Sequence, residues 1–280
     1  MKTLTSRISG NEIKQFIDDT SSSFSLPTDV LTSWKDNFTI KKETGNTPGL
    51  RNPQVGAYHA IISHWTNSSE IATVVLPTGT GKTETMLSIL VSERLERLLV
   101  IVPTDPLRNQ ISSKFVQLGL LHQLSLITDT VLNPIVGIIK KNFGTETELK
   151  DFLTKCNVVV ATASIISRIS TVYSSLLIDF FSHVFIDEAH HTEASSWNSI
   201  RKGFGGKYIV QFTATPFRND DKKIEGKIIY SYPLRKAQQE GYFKPIRFQK
   251  IYEYNNQNKD RALAEKGIEQ LRIDKQSYPH

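Results

Sequence analysis

Across 280 residues the chain is 39% apolar and 22% charged, with 34 lysines and arginines against 28 aspartates and glutamates and a net charge of +6. That length buries the core of one large α/β domain with appendages, or of two small domains, and the balance excludes a disordered or collagen-like chain. The start, MKTLTSRISGNEIKQ, has no apolar signal-peptide core, and no stretch reaches the roughly 20 apolar residues of a spanning helix, so no membrane contact and a cytoplasmic protein are expected.

Residues 1–45 are rich in Ser and Thr, with short helices expected around Asn11 to Asp18 and Thr28 to Asn37, and read as a leader or small helical cap. From Ile71 the pattern changes. Short apolar runs at Ile71 to Leu76, Leu98 to Val102, Val158 to Ala161, His183 to Ile186 and Tyr208 to Phe212 read as strands buried on both faces. Helices are expected between them at Thr83 to Glu96, Pro106 to Leu118 and Glu148 to Lys155, with Pro106 suited to a first turn. The alternation predicts an α/β fold, a doubly wound and mainly parallel sheet with helices on both faces. On such sheets ligands bind at the carboxyl ends of the strands, so the residues just after each strand are the candidates for chemistry. The polar tail from Asn255 to His280 carries a helix predicted near Arg261 to Arg272, with no further strand or settled cap, and the chain is expected to continue beyond it. Cys156, the single cysteine, excludes an internal disulfide and reads as a small buried residue.

After the first apolar run comes Pro77-Thr-Gly-Thr-Gly-Lys-Thr83, opening the helix expected over Thr83 to Glu96. A glycine-rich loop between strand and helix is a phosphate cradle, since Gly79 and Gly81 let backbone N–H groups approach an anion. Lys82 would reach the β and γ phosphates and the Thr83 hydroxyl would sit on Mg²⁺, with Pro77, Thr78, Thr80 and Glu84 completing the nucleotide site. The full pattern has a glycine where this chain has Leu76. At the end of the fourth run Asp187-Glu-Ala-His190 delivers two carboxylates to the same rim. Asp187 is assigned to Mg²⁺, through a water, and Glu188 to orienting and deprotonating the attacking water. The adjacent His190 and His191 point different ways and lack a third ligand at metal spacing, which argues against zinc.

The loop PTGTGKT, then DEAH, then Phe212-Thr-Ala-Thr-Pro216, in this order, resembles superfamily 2 helicases and translocases. The resemblance implies a RecA-like P-loop NTPase domain over residues 46–250, followed by a linker at 251–280 toward a second such domain. It further implies that ATP is hydrolysed, that His190, Thr213 and Thr215 couple the nucleotide to the track, and that Arg51 and Gln54 of Arg51-Asn-Pro-Gln54 contact adenine. The Gln54 amide can both donate and accept at the adenine edge. Thr104, Arg108, Thr162 and Ser164 fall where family members grip one nucleic-acid strand by its phosphates, without sequence preference. The segments Tyr230 to Leu234 and Gly241 to Pro245 are similar to the branch of restriction-enzyme and repair translocases, which favours DNA over RNA and restriction or phage defence as a setting. A nucleotide-switched, non-catalytic clamp or scaffold is the alternative, disfavoured by the intact Asp187 and Glu188.

Overall fold

In chain order the elements are β1 (Lys2–Ile8), β2 (Asn11–Ile17), α1 (Pro27–Trp34), α2 (Asn52–Asn67), β3 (Ala72–Val75), α3 (Lys82–Ser92), β4 (Leu98–Val102) and α4 (Asp105–Val116). There follow β5 (Val136–Ile138), α5 (Glu146–Thr154), β6 (Val158–Thr162), α6 (Ala163–Phe180), β7 (His183–Ile186), β8 (Tyr208–Thr213), β9 (Lys227–Ser231), α7 (Leu234–Gln239) and α8 (Lys259–Ser277). The structure is a computed structural model and describes residues 1–189, 203–215, 226–243, 250–252, 255 and 258–277. The chain divides into two compact units, Met1–Phe243 and Lys244–His280. Among the described residues no helix is long and apolar enough to cross a membrane.

Within the first unit the described strands form one sheet in the order β1-β2-β5-β6-β4-β7-β8-β3-β9. From β5 to β9 neighbouring strands run parallel, as expected from short apolar runs joined by helices. The five expected strands are all present. Their side chains are buried on both faces, with Val74, Val100, Val160, Phe185 and Phe212 fully inaccessible, and the Phe185 and Phe212 rings meet edge to face at 5.6 Å. Cys156 is buried as expected, its thiol bonded to the Phe152 carbonyl, and burial pushes its pKa up.

The amino-terminal stretch departs from expectation. Asn11 to Ile17, expected as helix, is the strand β2, paired antiparallel with β1 on one side and with β5 on the other. The pattern has period two: Ile13, Gln15 and Ile17 are buried while Lys14 and Phe16 are more open, which suits a strand with one face on the core. Ser9 and Gly10 make the turn at φ 50° and 77°, the pair of positive values that a two-residue hairpin of type I′ needs. The expected second helix exists as α1, with Val30 and Trp34 buried. The three-residue β5 and the edge strand β9 were not anticipated.

In the second unit α8 carries Arg261–Glu265 and Lys266–Glu269 ion pairs at 2.8 and 2.6 Å, and covers the helix predicted near Arg261 to Arg272.

Candidate functional site

The loop after β3 is tied to β8 by Leu76, whose N–H donates to the Thr213 carbonyl at 2.8 Å. It closes on itself through Thr80, fully buried, whose hydroxyl and N–H both donate to the Pro77 carbonyl, at 2.6 and 3.2 Å. Gly79 and Gly81 take φ 81° and 95°, conformations that cost a side-chain-bearing residue about 1–2 kcal/mol. The two glycines differ in surroundings. A β-carbon on Gly79 would meet nothing within 4 Å, whereas one on Gly81 would fall 1.9 Å from the Gln54 Nε2. Gly79 is therefore required by conformation alone, and Gly81 by conformation and by close approach.

Gln54 and Arg51 reach the loop from the start of α2. The Gln54 Oε1 accepts from the Arg51 N–H at 2.7 Å, its Nε2 donates to the Gly81 carbonyl at 3.3 Å, and Arg51 Nη1 donates to the Gly79 carbonyl at 3.0 Å. One donor and one acceptor position of the amide are left after these bonds. The Arg51 guanidinium lies 5.3 Å from the Tyr242 ring centroid. The branch-like segment after β9 thus packs on α2, where Asn52 Nδ2 also donates to Glu240 at 2.9 Å. Lys244 and Pro245 lie outside the described residues.

β7 lies between β4 and β8 and brings Asp187 to the same rim, its N–H bonded to the Ile101 carbonyl at 2.9 Å. Glu188 adopts φ 48°, an unusual conformation for a glutamate and one that clusters at functional sites. Lys82 Nζ and Glu188 Oε1 form an ion pair at 2.8 Å, with side chains only 9 and 19% exposed. Asp187 is buried, and its Oδ1 accepts from the Glu188 N–H at 3.0 Å. Burial, then the like charge of Glu188, raises its pKa to about 6 against the opposing pull of Lys82.

These groups line one cavity of about 540 Å³ together with Arg51, Gln54, Thr78, Thr83 and Glu84. Its far wall was not foreseen: Lys114 of α4, which pairs with the buried Glu84 at 3.3 Å, and the apolar side chains of Leu107, Ile111, Leu120 and Leu124. No local signal marks them, because they reach the site only through the packing of α4 beside α3. Pro77 and Thr80 shape the loop.

The expected nucleic-acid contacts divide. Thr104 and Ser164 are exposed at the starts of α4 and α6. Thr162 is buried, with its hydroxyl 3.2 Å from that of Ser164. Arg108, expected as a phosphate contact, has a side chain 6% exposed and bonded to the exposed Asp105 at 2.7 Å. Thr213 is buried, its hydroxyl donating to the Thr215 carbonyl at 2.7 Å. His190 and Pro216 lie outside the described residues.

No curated protein matches the chain. Among solved structures it is similar to a nuclease-deletion mutant of the Type ISP restriction-modification enzyme LlaGI in complex with a DNA substrate mimic, at 18% identity and TM-score 0.48, over 69% of this chain and 20% of that one. It is similar to the Hef helicase domain of Pyrococcus furiosus at 20% identity and TM-score 0.47, over 69% of this chain and 41% of that one. For the UvsW helicase of bacteriophage T4 the values are 17% and 0.42, over 66 and 59%. The chain thus spans about a fifth to three-fifths of the length of these structures. The family model described as the Type III restriction enzyme, res subunit, matches residues 47–218, and the chain belongs to that ResIII family as a RecA-like domain of the superfamily 2 helicase kind.

Proposed function

We propose that residues 46–250 bind ATP with Mg²⁺ and hydrolyse it as the first motor domain of a nucleic-acid helicase or translocase. Duplex DNA is the favoured track. Residues 251–280 lead toward a second RecA-like domain, in cis or in a larger complex. The observation that carries this reading is the 2.8 Å pair of Lys82 with Glu188 at a cavity that also receives Asp187 and Thr83.

The residues fit the group they would hold. Thr83 and Asp187 offer oxygen donors, the kind that Mg²⁺ takes. Asp187 is a buried carboxylate held up to about 6, and a second cation would relieve it. The left-handed Gly79 and Gly81 present the backbone donors of an anion cradle. Held by Thr83 and Asp187, Mg²⁺ would supply positive charge that offsets the negative charge of the terminal phosphates.

Lys82 exchanges Glu188 for the terminal phosphates. Glu188, released from its cation, orients the attacking water and takes its proton. Gln54 uses its remaining donor and acceptor on the adenine edge, and Arg51 holds the loop beneath. Thr213 and Thr215, with His190, relay the site's state to the track, which Thr104 and Ser164 grip with Thr162 holding Ser164 in place.

Family motors complete the charge stabilisation with arginines from the second domain, and an arginine finger is worth about 10³–10⁵ in rate. Slow turnover by these 280 residues alone is therefore expected, and binding is the direct test. Calorimetric titration with ATP and Mg²⁺ should show binding that Lys82→Ala weakens at least tenfold. Unchanged affinity in that variant would remove the basis of the reading.

A further inference from the structure

A cluster of cations with no part in the nucleotide site stands where the amino-terminal hairpin joins the sheet. Glu12 of β2 receives Lys140 at 2.7 Å, Lys14 at 3.0 Å and Arg7 at 3.5 Å. The carboxylate is 11% exposed, while Arg7, Lys14 and Lys140 are 70, 33 and 35% exposed. One carboxylate cannot neutralise three cations. Lys141 adds a fourth, and its side chain lies across the hairpin turn, where a β-carbon on Gly10 would come 2.4 Å from its Nζ. Glu148 lies close by, accepting from the Gly144 N–H at 3.0 Å and bonded to Ser9.

The cluster is built into the fold. Asn11, fully buried, accepts with its Oδ1 from the N–H groups of both Lys140 and Lys141, at 2.8 and 3.1 Å, which fixes the backbone carrying the two lysines. Beside it, a cavity of about 530 Å³ opens between the hairpin and α4, lined by Thr3, Thr5, Asn109, Ser112 and Gln117 along with Lys14 and Lys140. Hydroxyls, amides and ammonium groups are the donors that phosphodiester oxygens accept from.

Its position gives the cluster a meaning. In the parallel ladder Ile138 faces Val160, and Val102 faces Thr162. Lys140, two residues past Ile138, therefore ends level with Thr162, on the carboxyl edge that also carries Thr104 and Ser164. With strands about 4.8 Å apart, the edge from β4 through β6, β5 and β2 to β1 runs about 20 Å. At about 3.4 Å per nucleotide that is several phosphates of one strand.

We infer that Arg7, Lys14, Lys140 and Lys141 form a second grip on the nucleic-acid backbone, continuous with the row at Thr104 and Ser164, and that Glu12 holds these cations in place and competes for them. The inference rests on the reading of the domain as a nucleic-acid motor. A salt-bridge cluster serving stability alone has no need of the excess charge, since exposed pairs contribute only about 0–1 kcal/mol each.

The test is fluorescence anisotropy of labelled duplex and single-stranded DNA titrated with the 280-residue protein over a range of salt. The Lys140→Ala/Lys141→Ala variant should bind about tenfold more weakly at 0.1 M salt, with a salt slope lower by about 1.4–1.8, since each phosphate neutralised contributes roughly 0.7–0.9. Arg7→Ala, at an exposed position, should shift both in the same direction. Glu12→Gln should shift both oppositely, tightening binding severalfold, which loss of a purely structural ion pair would not do. If wild type binds and neither the lysine nor the Arg7 variant weakens it, the hairpin grip is wrong while the motor reading stands. If wild type binds neither duplex nor single strand, the motor's track and the grip fall together.

Discussion

Gln54 closes against Gly81: its Nε2 donates to the Gly81 carbonyl at 3.3 Å, and a β-carbon at Gly81 would fall 1.9 Å from that nitrogen. The element that precedes the first parallel strand is thereby keyed to the phosphate loop that follows it. Gly81→Ala must both strain the backbone and expel the Gln54 amide, whereas Gly79→Ala pays only the strain. Gly81→Ala should lower ATP affinity more than tenfold and the melting temperature by about 4–8 °C, from about 2 kcal/mol in a domain of this size. Gly79→Ala should do less on both counts. Calorimetry and thermal unfolding of the two variants check this, and equal effects would discard the close-approach argument.

Lys82 and Glu188 pair at 2.8 Å yet are proposed to do separable work. Glu188→Gln keeps the shape of the side chain and should hold ATP affinity within about threefold, while slowing hydrolysis by about 10²–10⁴, the range of general-base contributions. Single-turnover hydrolysis in the presence of DNA, in a form of the protein that carries both motor domains, is the measurement. Normal turnover by Glu188→Gln would refute its role on water.

His183 sits at the start of β7, its ring stacked on Tyr208 at 5.1 Å and beside Trp65 at 5.0 Å. Burial lowers its pKa from 6.5 to about 4. Above pH 6.5 the imidazole is neutral in folded and unfolded chains alike and contributes no pH dependence. Between 6.5 and about 4 the unfolded chain takes up a proton that the folded one refuses, so stability falls with pH by up to about 1.4 kcal/mol per unit. Asp187, with its raised pKa, acts in the opposite sense below about 6, but it is common to wild type and His183→Phe and cancels between them. Urea unfolding at pH 7.5 and 5.0 should show wild type losing more stability than His183→Phe. Parallel losses would show that the imidazole titrates as in the unfolded chain.

Much of the parallel sheet could be read along the chain because its signals are local. Each of the five strands is a short apolar run, and the loop at Pro77 to Thr83 and the acidic pair at Asp187 follow such runs directly. The rule that ligands bind at carboxyl ends then placed Lys82 and the two carboxylates on one rim. The hairpin escaped that reading. Asn11 to Ile17 alternates, but a seven-residue pattern of mixed polar and apolar residues fits a helix face as well until its partners, β1 and β5, are known. β5 is three residues with Gly137 at its centre, too short for any periodicity.

What the sequence determined by itself was the five apolar strands of the parallel sheet and the glycine-rich loop and acidic pair that follow two of them, since a backbone conformation or a donor type is a property of a few adjacent residues. The tertiary structure decided which distant groups meet. It set Lys82 against Glu188, built the far wall of the cavity from α4 and the residues after it, and brought Lys140 to Glu12 beside Arg7 and Lys14. Such meetings depend on strand order and helix packing, which are fixed by burying apolar area over the whole domain and so leave no mark in any one stretch of chain.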